Sequence, residues 1–545
     1  MPLPIRLELA DLQGHIVRSY GRDGFATARH FFLNIDTRKP ADGRRFVNRL
    51  RDKVTTAEPW IGGKGNYPSG KSIPMPQVAY NIGFTFHGLR ALGLPTRTLQ
   101  LLPAEFIDGM RARCHILGDV GESAPDKWDP IWKDPQDLES RKMVHVWLAM
   151  HPHLTSGDAI EHETSWLRQL VADSGDAVHL LSGHRGPDAD FQAASALVIN
   201  GVHVPKEHFG YTDAIGDTVF VGQTDPSVER VRKIGSGKIM PDQSWEPIAT
   251  GEFVLGHVDE SQELPQTAPP WEFMRNGTFM AYRKLHQNVA SFHSYIEQAA
   301  AEYAQLMKVG KCEARETIRA KLVGRWSDGV PLIAAPTFQA WEAFREQNAG
   351  VVAWWDGKTE GKDLTDKEKA DYMRVLVDFK YSQDPQGIAC PFGAHLRRVN
   401  TRDMLDPEAS PGSKTWSSTL NNRRRILRRG LPYGSFKTKD HDDAEEHGVI
   451  FMGLCASLFR QFEFIQQQWI QYGLDFNLGN DTDPLIGSRA MGGRKHVITA
   501  DPAGDNAPFI CTEMPQFVTT RGGEYFFIPS LTALRMIAMG NVDPT

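Results

Sequence analysis

The order of the hydrophobic patterns along the chain constrains its fold more than any single segment does. Alternating apolar runs that suit half-buried strands occur in FATARHFFLNI (25–35) and KMVHVWLAMHP (142–152), and QVAYNIGFTFHGLRALGL (77–94) reads as a strand running into a helix. Further on, Val289, Phe292, Ile296, Ala299, Ala300, Tyr303 and Leu306 recur at three- and four-residue steps, the stripe of a core-facing helix. GVIFMGLCA (448–456) reads as a buried strand, after which Ser457 can cap a helix through FRQFEFIQQQWIQYG. Both halves therefore mix strands and helices without the regular strand–helix rhythm of a parallel sheet. That is an α+β pattern with room for two similar halves. Turn-rich text over 222–270 puts the division there, giving domains 1–235 and 236–545. The Asp-, Pro- and Lys-rich stretch 119–140 and the charged stretches within 345–447 are expected to be surface insertions.

Composition removes several function classes. A chain of 545 residues with 41% hydrophobic and 23% charged residues builds sizeable cores and is not mainly disordered. Its 61 Lys+Arg against 67 Asp+Glu leave a charge of −6, too small to make nucleic acid or an anionic membrane the default partner. No apolar run reaches about 18 residues, so no membrane span is expected. The start, MPLPIRLELADLQGHIV, lacks the basic and apolar blocks of a secretory signal, and the tail IAMGNVDPT carries no peroxisomal or retention signal. Five scattered cysteines without a CxxC pair argue against a disulfide framework and a thiolate zinc site. The expected location is the reducing cytoplasm.

Local motifs are sparse. Nothing matches GxxxxGK[ST] or HExxH, and no GxGxxG opens a helix after a strand. His145, His151 and His153 in HVWLAMHPH have neither helical-face nor sheet-face spacing and read as ordinary strand and turn histidines. In CPFGAHLRRVNTRD (390–403), His395 can ligate a metal, and Arg397 and Arg398 would suit the carboxylates of an anionic cofactor, although a plain histidine beside basic residues fits as well. NNRRRILRRGLPYG (421–434) holds five arginines within seven residues, as a solvated basic helix would. HFGYTDAIGD (208–217) places Asp213 in a glycine-rich turn, where a turn-capping role is the simplest reading.

Taken in order, nine segments resemble the dye-decolourising peroxidase family of haem proteins: LADLQGHIVRSYG, FTFHGLRALGL, GYTDA, GEFVLGHVDE, NGTFMAYRKLHQNV, CPFGAHLRRVN, RRILRRGLPYG, GVIFMGLCASLFRQFEFIQQQW and RGGEYFFIPSL. The resemblance implies two ferredoxin-like α+β domains, antiparallel sheets with peripheral helices, forming a dimeric α+β barrel-like haem peroxidase fold. It implies one haem b per chain, held mainly by the C-terminal half, with hydrogen peroxide and small aromatic reductants such as dyes and phenolics as substrates.

Carried over residue by residue, His395 matches the proximal iron ligand, Asp213 the distal aspartate of the family's GxxDG motif, and Arg428 the distal arginine, which can also bind a haem propionate. Ala214 stands where that motif has its last glycine, and alanine is disfavoured by roughly 1 kcal/mol if the position needs positive φ. Val449 and Phe451 resemble the aliphatic–aromatic pair that narrows the distal pocket. The acidic partner of the proximal histidine is Asp483 by first choice and Glu463 by second. Trp354, Trp355 and Trp416, in charged stretches expected to be exposed, are candidates for relaying electrons. The resemblance implies a monomer or homodimer with no nucleic-acid or membrane partner. A haem-binding or iron-handling protein with incidental peroxidase activity is the rival, and it would not need Asp213 and Arg428 together.

Overall fold

The computed structural model describes the chain apart from residues 1–6, 62–71, 134–139, 185–189, 200, 225, 266, 360, 407–414, 437–441, 493–494, 501–505 and 543–545. One ten-stranded antiparallel sheet runs through it. Its long strands are β1 (Thr27–Ile35), β2 (Val78–Phe84), β3 (Val146–Pro152), β4 (Thr278–Gln287), β5 (Gly448–Cys455) and β6 (Val518–Ile528), in the order β5-β4-β6-β2-β3-β1. Strands from before residue 195 occupy one end and those from after 278 the other, joined where Phe527 of β6 pairs with Phe84 of β2. Short strands extend both edges, among them Leu427–Arg428 beside β5. Helices α1 (Pro40–Arg51), α2 (Ala159–Ala172), α3 (Val289–Met307) and α4 (Lys311–Val323) pack around it, the last two against each other. This is the α+β architecture expected from the alternation of patterns, and the ferredoxin-like one that the resemblance implies.

The core stripe of α3 buries Val289, Phe292, Ile296, Ala299 and Ala300, but Leu306, the penultimate residue of the helix, is exposed. Leu458–Glu463 and Ile465–Gln471 wind in π rather than α turns, with the Ser457 hydroxyl accepting from the Arg460 N–H at 3.2 Å as a cap. The wider winding, uncommon outside functional regions, turns Phe462, Ile465, Gln466, Ile470 and Gln471 toward one cavity.

Two expectations about insertions are corrected. The described part of 119–140 is packed on the sheet: Trp128, Ile131 and Trp132 are buried, and Asp129 forms a fully buried ion pair with Lys284 of β4 at 2.7 Å. Trp132 lies so close to β6 that a Cβ on Gly522 would meet its ring at 1.9 Å, so the strand needs glycine there. The charged region after 337 forms α5 (Phe338–Gln347), α6 (Ala349–Trp355) and α7 (Asp366–Val377), which share a core around Trp326, Trp341, Tyr372 and Leu376. Trp416, expected to be exposed, is buried.

Several histidines are buried without charge. Burial pushes His151, His286 and His496 down to about 4, and His145 and His184 to about 3. The unfolded chain binds these protons below about pH 6.5 and the folded chain does not, so stability is constant above that pH and falls below it. Each histidine contributes roughly 1.4 kcal/mol per pH unit within its window. The thermal midpoint should therefore drop between pH 6.5 and 5, above the carboxylate range; a flat midpoint over that interval would contradict the assignment.

Candidate active site

A cavity of about 360 Å³ lies between the sheet and the helices that follow it, within the range of small-molecule sites. One wall is a sheet face, because residues two apart on a strand point the same way. Arg283, Leu285 and Gln287 of β4 share it with Val449 and Phe451 of β5, and pairing sets Phe451 opposite Arg283 and Val449 opposite Leu285. Val449 and Phe451 thus both line the cavity.

His395 opens the short helix α8 (His395–Val399) and is the sole histidine among the described lining residues. Its Nδ1 lies 3.0 Å from Oδ2 of Asp483, whose side chain is fully buried. The other carboxylate oxygen accepts the Leu485 and Ile486 N–H groups at 2.9 and 3.0 Å. Burial pushes this carboxyl up, but the His395 ring, its hydrogen bond and nearby Arg398 outweigh it and hold Asp483 well below the usual carboxylate range. An ionised carboxylate fixes the imidazole proton on Nδ1, which leaves the Nε2 lone pair available to a metal. Glu463, the second choice for this partner, is engaged elsewhere: it pairs with Arg113 at 2.6 Å and accepts the Tyr525 hydroxyl at 2.9 Å.

Asp213 and Arg428 meet on the same cavity. Arg428 Nη1 donates to Asp213 Oδ1 at 3.0 Å, and the two side chains are 45% and 49% exposed respectively, open to the void rather than packed away. Asp213 also accepts the Ala214 N–H at 2.6 Å. Burial raises this carboxyl, and Arg428, the Ala214 N–H and His395 together bring it below its ordinary value, so Asp213 is ionised at neutral pH. Ala214 does adopt positive φ, at +60°, the conformation that makes glycine the easier residue there. The turn tolerates it because its backbone is tied on several sides: the Asp213 N–H donates to Pro205 O at 2.8 Å and the Thr212 N–H to Ser327 O at 3.0 Å. Glu207 adds to this by accepting the Phe209 and Tyr211 N–H groups, both at 2.8 Å.

The basic residues near His395 are not those expected to face a cofactor. Arg397 and Arg398 are buried and turned from the cavity: Arg397 pairs with Asp384 at 2.9 Å, and Arg398 donates to three backbone carbonyls. The cations lining the cavity beside Arg428 include Arg325, Arg402 and Arg425. These three have backbone-carbonyl or hydroxyl acceptors and no ion pair among the described residues. Burial pushes Arg325 and Arg402 down to about 10 and Arg425 to about 9, with neighbouring guanidinium charges adding to it at Arg325 and Arg425, and Arg402 Nε has no acceptor. Such positive charge without ion pairs around a void fits the two carboxylates of haem. Arg325 lies in a segment without a recognisable pattern, and Arg402 falls inside CPFGAHLRRVNTRD, where the reading rests on Arg397 and Arg398 instead. Arg425 sits inside the arginine run, which is not a solvated helix but the approach to Leu427–Arg428 at the sheet edge. His145 accepts the Ile35 N–H at 3.0 Å, and no cluster of three metal-ligating side chains occurs among the described residues.

No family model matches the chain. It is 28% identical to the multifunctional dye peroxidase DyP2 of Amycolatopsis sp., over 97% of this chain and 96% of that protein. It is 26% identical to peroxidase 2 of Mycetinis scorodonius, over 97% and 88%. The chain is thus similar over nearly its whole length to dye-decolourising peroxidases. The fold agrees: a crystal structure of a fungal DyP-type peroxidase from Auricularia auricula-judae superposes with a TM-score of 0.69 at 22% identity, covering 98% of this chain and all of that one. An ancestral D-type dye-decolourising peroxidase superposes with the same score. Similarity to dye-decolourising peroxidases implies a haem cofactor, for which the His395 imidazole and the surplus arginines are suited donors.

Proposed function

We propose that the protein binds one haem b on His395 and reduces hydrogen peroxide, with dyes, phenolics and other small aromatic compounds supplying electrons one at a time. One observation carries this reading: a single cavity holds a carboxylate-bound imidazole, an ionised Asp–Arg pair and three arginines without an ion pair among the described residues. When bound, haem supplies an iron that takes up peroxide and stores two oxidising equivalents. Asp213 accepts a proton from one peroxide oxygen and returns it to the other, which leaves as water. Arg428 stabilises the negative charge that develops as the O–O bond breaks. Asp483 keeps the His395 proton on Nδ1 and makes the ring a stronger donor. Arg325, Arg402 and Arg425 hold the propionates, and Val449 and Phe451 narrow the remaining space so that bulky reductants react at the rim.

We further infer a cytoplasmic monomer or homodimer, in line with the five free cysteines. No helix among the described residues is long and apolar enough to cross a membrane. The test is the absorption spectrum of protein supplied with haem, before and after one equivalent of peroxide. A Soret band that shifts with peroxide and returns on adding a phenolic reductant is expected. No band at all would overturn the haem assignment, and a band unmoved by peroxide would leave haem binding alone.

A further inference from the structure

Arg398 lies one helical turn beyond His395 on α8 and is fully buried, yet it forms no ion pair among the described residues. Its planar fork is spent on three carbonyls from two other segments. Nε donates to Trp469 O at 2.6 Å and Nη2 to Tyr472 O at 2.6 Å, both at the C-terminal end of the π-wound helix. Nη1 donates to Asp481 O at 2.9 Å, two residues before Asp483. A helix end leaves carbonyls without partners, and a buried one needs a donor from elsewhere. Arg398 supplies it while tying the same end to the loop that carries the carboxylate of His395. The Asp483 N–H closes the knot by donating to Ile470 O at 2.7 Å.

We infer that Arg398 is a positioning residue for the axial imidazole: by joining α8, the π-helix end and the 481–483 loop, it sets how Asp483 meets His395 Nδ1. The inference rests on the proposed haem site. Its neighbour Arg397 cannot substitute, since its guanidinium is committed to Asp384 and to Cys390 O on the other side of α8. Lysine at 398 would keep the charge but has a single ammonium where three acceptors surround a planar group. The loop retains a separate anchor in Arg489, which donates to Pro484 O at 2.6 Å and to Asp483 O at 3.2 Å. An Arg398→Lys protein should therefore fold while losing the fine alignment.

The test uses the haem-loaded protein and reads the iron, not turnover alone. Wild type, Arg398→Lys, Arg398→Met, Asp483→Asn and the Arg398→Lys/Asp483→Asn double variant are compared by iron–imidazole stretching frequency and haem midpoint potential. Arg398→Lys should lower the frequency and raise the potential toward the Asp483→Asn values, with reaction toward peroxide slowed about tenfold, the usual scale for losing a ligand's supporting partner. In the Asp483→Asn background, Arg398→Lys should add no further shift, because the two residues act through one contact. Wild-type frequency and potential in Arg398→Lys would overturn the inference and leave the haem site intact. Equal shifts with and without Asp483 would also overturn it, placing the effect elsewhere. If Arg398→Met fails to fold, the lysine pair still decides. A wild-type protein with no histidine-bound haem would overturn both this inference and the proposed function.

Discussion

Replacing His395 with alanine is expected to abolish stable haem binding. No other histidine among the described residues lines the cavity, so no side chain of the same kind can take its place. The carboxylate of Asp483 would also lose the largest of the influences that offset its burial, a cost in a fully buried group. The variant should emerge from haem-supplied expression with little or no Soret absorbance and a lower thermal midpoint. Added imidazole should restore part of the absorbance by entering the space the side chain vacates. Asp483→Asn, by contrast, should keep haem and change only the strength of the iron–imidazole bond. Normal haem content with an unaltered iron spectrum in His395→Ala would exclude this residue as the ligand. An Asp483→Asn protein empty of haem would show that the carboxylate does more than support the ring.

Much of the fold was legible because the strands and the long helix each have a hydrophobic period that local sequence displays. β1, β2, β3 and β5 all fall inside segments whose patterning read as strands. The misreadings share a cause. Asp129 looks like a surface residue until its carboxylate is placed against Lys284 of β4, 155 positions away, and no local pattern encodes that pairing. The same holds for Trp416, whose charged neighbours suggested exposure.

At the site, His395, Asp213 and Arg428 could be picked out through a resemblance carried by whole segments. Arg397 and Arg398 could not be distinguished from cavity residues, because adjacent positions on a helix point about 100° apart and only the packing tells which side faces the void. Arg325 left no signal, and Arg402 was not marked off from the other arginines of CPFGAHLRRVNTRD, since what distinguishes both is the absence of an ion pair in three dimensions. Even Glu207, six residues before Asp213, reads as an unremarkable acid until its carboxylate is seen to accept backbone N–H groups of the turn.

Arg428→Leu is expected to slow the reaction with peroxide by about 10² to 10³ while leaving haem bound, the scale on which one donor to a developing oxyanion acts. The pH dependence gives a sharper signature than the rate. In the native protein Arg428 is the largest of the influences that lower the Asp213 carboxyl, and burial opposes it. With leucine at 428 the opposing burial remains, so the carboxyl moves up and the acid limb of the peroxide reaction should shift to higher pH. Asp213→Asn removes the proton carrier itself, and its rate should fall by about 10² to 10⁴ with the acid limb gone. The double variant should be little slower than the worse single one, because residues acting on one proton transfer and one leaving oxygen are not independent. Stopped-flow absorbance at the Soret band across pH 3 to 8 measures all three. A limb that stays in place in Arg428→Leu would mean that the 3.0 Å contact does not govern Asp213, and rates that multiply in the double variant would mean that the two side chains serve separate steps.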